Sequence, residues 1–123
     1  MKWLSILGAL SIAMSSLGQT LNCNFLCNSD FEDQQVAAPG TFTLTNQNNL
    51  PCWNTTAGNG TVEVWGTGFN GVPAYSGNQF MELNATVVST LFQNFTIALG
   101  STAQMSFAHR GRHGTDVMTV EVG

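Results

Sequence analysis

Leu91, Gln93, Phe95 and Ile97 alternate with Phe92, Asn94 and Thr96, and a period of two is the mark of a strand with two distinguishable faces. Gln104, Ser106 and Ala108 against Met105, Phe107 and His109 repeat the pattern. Short runs of this kind are read near Phe25 to Cys27, Thr41 to Thr45, Thr61 to Trp65, Gln79 to Asn84, Ser89 to Ala98, Thr102 to Arg110 and Asp116 to Val122. They recur at roughly 10 to 15 residues, the spacing of a small antiparallel β-protein. Turn chemistry separates them at Ala38-Pro39-Gly40, Gly58-Asn59-Gly60, Leu99-Gly100-Ser101 and Gly111 to Gly114. Helical periodicity is absent after residue 20. The pattern predicts an all-β antiparallel sandwich and argues against an α/β fold.

Ahead of these runs, residues 1–18 have the three parts of a secretory signal peptide: Lys2, the apolar stretch Trp3 to Met14, and Ser16-Leu17-Gly18 as a small-residue cleavage site. Its apolar stretch is short for a membrane span, and no later run approaches the roughly 20 residues a span needs. The expected location is therefore secreted or cell-surface. Loss of Lys2 leaves two arginines against seven carboxylates in residues 19–123, a formal charge of −5. That balance offers no general basic face for nucleic acid. Residues 19–123 are long enough for one module, on the small side for an independent core. The last run, Met118 to Val122, reads as a strand still in progress at Gly123, so the sequence predicts a module lacking its C-terminal strands and belonging to a larger chain.

A secreted chain keeps disulfides, but Cys23, Cys27 and Cys52 cannot all pair within it. The preferred bridge is Cys27 with Cys52, which would tie the first run to the Pro51-Cys52-Trp53 turn; Cys23 with Cys27 is the rival. No cysteine or histidine spacing matches a zinc pattern.

Three segments carry candidate chemistry. Both histidines and both arginines of residues 19–123 fall in His109, Arg110, Arg112 and His113, at the expected tip of a hairpin between Ser106 and Val122. Concentrated cations make this either a solvated turn or a site for an anionic ligand. The glycine-rich stretch Gly66 to Gly77 displays Phe69 and Tyr75, with Trp65 at its root. Aromatic faces there could stack on the C–H faces of sugars, with Asn70, Asn78 and Gln79 nearby as polar partners. Trp53 and Trp65 are read first as core, and Phe69 and Tyr75, on the loop itself, as the candidates for display. Asp30, Glu32 and Asp33 make a hard-oxygen cluster suited to calcium, or a solvated acidic turn.

Catalysis finds little support. Glu63, Glu82 and Glu121 lie in strands, but spacing alone does not bring two carboxylates across a cleft, as glycoside hydrolysis requires. Ser106 and His109 point to opposite faces of one strand, and no nucleophile-elbow motif occurs.

Five stretches appear in order: Asn28-Ser29-Asp30-Phe31-Glu32, Pro51-Cys52-Trp53, Val62-Glu63-Val64-Trp65, Gly77-Asn78-Gln79-Phe80-Met81-Glu82-Leu83-Asn84 and Ser106-Phe107-Ala108-His109-Arg110-Gly111-Arg112. Together they resemble the galactose-binding-domain-like jelly roll of calcium-containing carbohydrate-binding modules and of large secreted bacterial surface proteins. The resemblance spans residues 24–123. It implies a non-catalytic carbohydrate-binding module with polysaccharide or glycan as partner. It also implies a structural calcium in which Glu32, with Asp30 beside it, takes part. Phe69, Tyr75, Arg110 and Arg112 are the expected ligand-binding residues. Two alternatives share the fold: a structural or adhesive spacer without a small ligand, and an accessory module of a larger glycoside hydrolase.

Overall fold

The computed structural model describes residues 25–123; the expected signal peptide, its expected cleavage site and Cys23 lie outside them. The described chain is all-β. β1 (Phe42–Asn46), β2 (Asn54–Thr55), β3 (Thr61–Gly66), β4 (Gln79–Glu82) and β5 (Leu91–Phe92) form two antiparallel sheets, one ordered β1-β3-β4 and the other β2-β5. Single 3-10 turns at Gln47–Asn49 and Phe69–Gly71 are the helical elements among the described residues.

β3 is the central strand and reads as one, with β-branched Val62 and Val64 among large side chains that fit a pleated, covered surface. Val62, Glu63, Val64, Trp65 and Gly66 are all buried. β1, at one edge, alternates exposed and half-buried residues along Phe-Thr-Leu-Thr-Asn. It ends where the Asn46 side chain accepts from Asn48 N–H at 3.0 Å, a local bond that turns the chain out of the ladder. The register pairs Phe42 with Trp65 and Leu44 with Glu63, then Trp65 with Phe80 and Glu63 with Glu82. Directly opposed residues share a face. One face of the sheet therefore carries Phe42, Leu44, Glu63, Trp65, Phe80 and Glu82, and the other carries Val62, Val64, Gln79 and Met81.

The Val62/Val64/Gln79 face is tied to the segment before β1. Gln79, 1 % exposed, accepts on Oε1 from the N–H groups of Val36 at 2.9 Å and Ala37 at 3.1 Å. Gln35 Nε2 donates to the same oxygen at 3.2 Å. Its Nε2 donates to the carbonyls of Phe31 and Gln34. A primary amide offers two donors and a two-lone-pair acceptor, and here all of that capacity goes to organising residues 31–37. Glu32 adds a second peg, its Oε1 accepting from the N–H groups of Asn78 at 2.7 Å and Gln79 at 2.9 Å. Gly77 makes room for it: φ is +70°, and a Cβ there would run into the Glu32 carboxylate. Gly66 answers a similar demand, since a Cβ would collide with the Ala38 carbonyl crossing above β3.

Cys27 and Cys52 are joined, with Cα atoms 5.8 Å apart and a sequence separation of 25. Around the bridge, buried Asn28 donates from Nδ2 to the Pro51 carbonyl at 3.1 Å and accepts on Oδ1 from Asp33 N–H at 3.0 Å. Trp53 donates its indole N–H to the Asn28 carbonyl at 2.9 Å and packs on Phe31 with ring centroids 5.1 Å apart. Just past β5, the Gln93 amide bonds both main-chain groups of Cys27.

Three sequence expectations take a different form. The run at Phe25 to Cys27 is turn and irregular chain, and the long run expected at Ser89 to Ala98 contributes a ladder of only two residues, Leu91–Phe92. The hairpin expected between Ser106 and Val122 has no strand in it: residues 101–123 carry no ladder. Alternation describes how side chains divide between faces; a strand also needs a neighbouring backbone to bond with. Here Met105, Phe107, Val117, Val120 and Val122 all remain exposed, and burial supplies no register. The turn at the tip does form, with Asp116 Oδ2 accepting from Arg112 N–H at 2.9 Å and Gly114 at φ +86°.

Candidate ligand-binding site

The Glu63 face of the three-stranded sheet brings aromatic rings and carboxylates together, with Glu63 and Trp65 buried at its centre. Two rows cross it in register. An aromatic row runs Phe42, Trp65, Phe80, and beside it lies a second row of Leu44, Glu63, Glu82. The rows arise from mirrored sequence order: Glu63-Val64-Trp65 on β3 and Phe80-Met81-Glu82 on β4 run in opposite senses, so like residues meet across the ladder.

Trp65 is the hub. Its indole N–H donates to Glu63 Oε1 at 2.7 Å within the buried sheet, a charge-assisted bond that settles one carboxylate oxygen. Phe69 meets the Trp65 ring edge-on, centroids 4.7 Å apart at 88°, and also packs on Phe42 at 5.0 Å. Phe80 lies 5.9 Å away. The Arg112 guanidinium carbon sits 4.7 Å from the Trp65 ring centroid, within reach for a cation–π interaction. Trp65 is thereby reduced to 2 % exposure, whereas Phe42 keeps 47 %. Glu82, half-buried, accepts on Oε2 from Asn84 N–H at 2.9 Å. The Arg112 backbone N–H donates to Asp116 Oδ2 at 2.9 Å.

The expected ligand-binding residues separate into two groups. Phe69 and Arg112 converge on Trp65. Tyr75 is 90 % exposed on the Gly66 to Gly77 loop, and Arg110 is exposed two residues before Arg112. Phe69 is a wall of the aromatic cluster, so its ring is less free for stacking than the sequence suggested. Phe42, 47 % exposed, offers a more accessible edge, and Phe80 is half-buried. Neither was singled out from sequence, and the signal lies in register, which one strand at a time does not reveal.

Asp30 and Glu32 are drawn into the N-terminal loop. Asp30 Oδ1 accepts from Glu32 N–H at 3.3 Å, and the Glu32 carboxylate faces the N–H groups that open β4. Among the described residues no three His, Cys, Asp or Glu side chains are grouped to hold a metal ion, so calcium stays an implication of the resemblance. No helix among them is long and apolar enough to cross a membrane.

Compared with known proteins, the chain matches no family model, no curated protein and no solved structure.

Proposed function

We propose that the chain is a non-catalytic, extracellular glycan-binding module, built on a sandwich of the jelly-roll type, with the Glu63 face as its binding surface. One observation carries this reading: an aromatic row and a carboxylate row lie side by side on a single sheet face, with a guanidinium over the central Trp65 ring. Sugars require that mixture, with apolar ring faces for their C–H surfaces and planar polar groups for their hydroxyls. Phe42 and Phe80 supply the first, and Glu82 and Arg112 the second. Glu63 is nine-tenths buried and bonded to the indole, which suits a group that orients Trp65 better than one that attacks substrate. The Cys27–Cys52 bridge accords with an oxidising, extracellular setting.

A structural or adhesive spacer is the second reading, and the near-complete burial of Trp65 favours it, because a ring packed that closely serves as core. Retention of the full chain on immobilised polysaccharides separates the two. The binding module is retained, and Phe80→Ala and Glu82→Ala weaken retention while melting near the parent temperature. A spacer passes through every gel unretarded.

A further inference from the structure

Arg112 is an exposed cation placed against an aromatic ring. Among the described residues its guanidinium contacts the Trp65 ring, and Asp116 is bonded by the backbone N–H. An ordinary surface arginine spends its charge on a neighbouring acid or sweeps through solvent. Here the cation rests against a ring, and Glu63 bonds that ring's indole N–H. A carboxylate accepting the indole N–H raises electron density on the ring, and a richer ring holds a cation better. Arg110, His109 and His113 are exposed on the same short segment, and Arg110 and Arg112 are the only Lys or Arg among the described residues. The face therefore offers carboxylate oxygens at Glu82 and a guanidinium fork at Arg112 over Trp65.

We infer that the glycan bound here is acidic: a polysaccharide whose sugar carries an oxyanion, carboxylate or sulfate, received by the Arg112 fork with Arg110 in support. This rests on the glycan-binding reading and deepens it by naming the ligand class. The geometry of the fork matches either oxyanion, since a guanidinium presents parallel N–H groups at the spacing of two oxygens. An acidic sugar also keeps hydroxyls, which donate to Glu82, so one residue can satisfy both groups. Glu63, Glu82 and Asp116 keep their negative charge, each with one oxygen accepting an N–H, so the oxyanion is received at the Arg112 fork and only the neutral hydroxyls at Glu82.

The test holds the polymer constant and changes only its charge. The full chain is passed over immobilised polygalacturonate, its fully methyl-esterified form, and a sulfated galactan beside its desulfated form. The expected result is retention on one or both charged polymers, reduced about tenfold on the uncharged partner and by added salt, as for a charge-assisted contact. Retention by the carboxylated or the sulfated polymer alone supports the inference and identifies the oxyanion. Arg112→Gln should abolish the difference between charged and uncharged polymers. Arg112→Lys should restore it only in part, because a point charge lacks the fork. Far-ultraviolet circular dichroism and thermal melts of both variants verify folding, and Arg110→Gln, which touches no ring, gives a second reading if Arg112→Gln unfolds. Equal retention on charged and uncharged polymers overturns the acidic assignment and leaves glycan binding standing. No retention on any polymer by the folded parent chain overturns both.

Discussion

Gln93 holds Cys27 by both of its main-chain groups: Oε1 accepts the Cys27 N–H at 3.0 Å, and Nε2 donates to the Cys27 carbonyl at 3.1 Å. One side-chain amide thus takes the place of a neighbouring strand at the residue that forms the disulfide. Reducing the bridge, or replacing both cysteines with serine, should cost about 3 kcal/mol through the freed unfolded chain. Gln93→Ala should cost about 1 to 2 kcal/mol for two bonds at an exposed site. The two losses should fall short of additivity, since the clamp works best on a tethered Cys27. Urea unfolding of the single and combined variants measures the coupling; strict additivity would show that clamp and bridge act independently.

Gln79 is the most heavily used side chain in the described fold. Gln79→Leu keeps volume and removes every bond, leaving the Val36 and Ala37 N–H groups and the Phe31 and Gln34 carbonyls without their partner. A loss of about 3 kcal/mol or more is expected, because each buried polar group left unpaired carries its own desolvation cost. Gln79→Ala should do no better. A midpoint shift of less than a few degrees for either variant would refute the account.

Glu63 and Glu82 oppose each other as like charges, an arrangement that costs up to about 1 kcal/mol across an antiparallel pair. Glu63→Gln removes the repulsion and keeps an oxygen for the Trp65 indole, so stability should hold or rise slightly. Glu63→Leu strands the buried indole N–H and should cost about 1 to 3 kcal/mol. Thermal melts followed by tryptophan fluorescence discriminate the two, and a Gln variant as damaged as the Leu variant would mean that the carboxylate charge itself is needed.

At Gly77, alanine meets two objections together, the positive φ and the Glu32 carboxylate. Gly77→Ala should cost about 1 to 3 kcal/mol, the range for a non-glycine residue held in such a conformation. Combining it with Glu32→Ala should cost less than the sum of the two, since the truncated side chain no longer fills the space.

The sequence was most readable where local chemistry and tertiary packing agree. β1, β3 and β4 form where strands were read from the sequence, and the Cys27–Cys52 bridge is the preferred pairing. Residues 101–123 carry equally good alternation and form no ladder, because periodicity specifies faces without supplying a neighbour. β2 escaped notice since Asn54 and Thr55 have no periodicity of their own; their ladder follows from Thr56 and Thr90 drawing the chains together, with Thr56 N–H on the Thr90 carbonyl at 3.0 Å. At the candidate site, Glu63-x-Trp65 and Phe80-x-Glu82 each placed two residues on one face of a strand. Which strands are neighbours, and in what register, was needed before carboxylate met carboxylate. Arg112 over Trp65 is a contact between residues far apart in the chain, with no local signature at all.

The manner in which residues 31–37 are attached has a kinetic consequence. Gln79 and Glu32 fasten that segment to the sheet through side chains, with no main-chain ladder shared between them. Releasing it breaks a handful of side-chain bonds and leaves β1, β3 and β4 paired. Such a segment can open as a unit below the free energy of global unfolding. In deuterated buffer the amides of Val36, Ala37 and Asn78 should therefore exchange at one common rate, ahead of Val62 and Val64, and Gln79→Leu should speed the first group while leaving the order unchanged. Scattered rates among those three amides would mean that the two pegs release separately, each with its own clock.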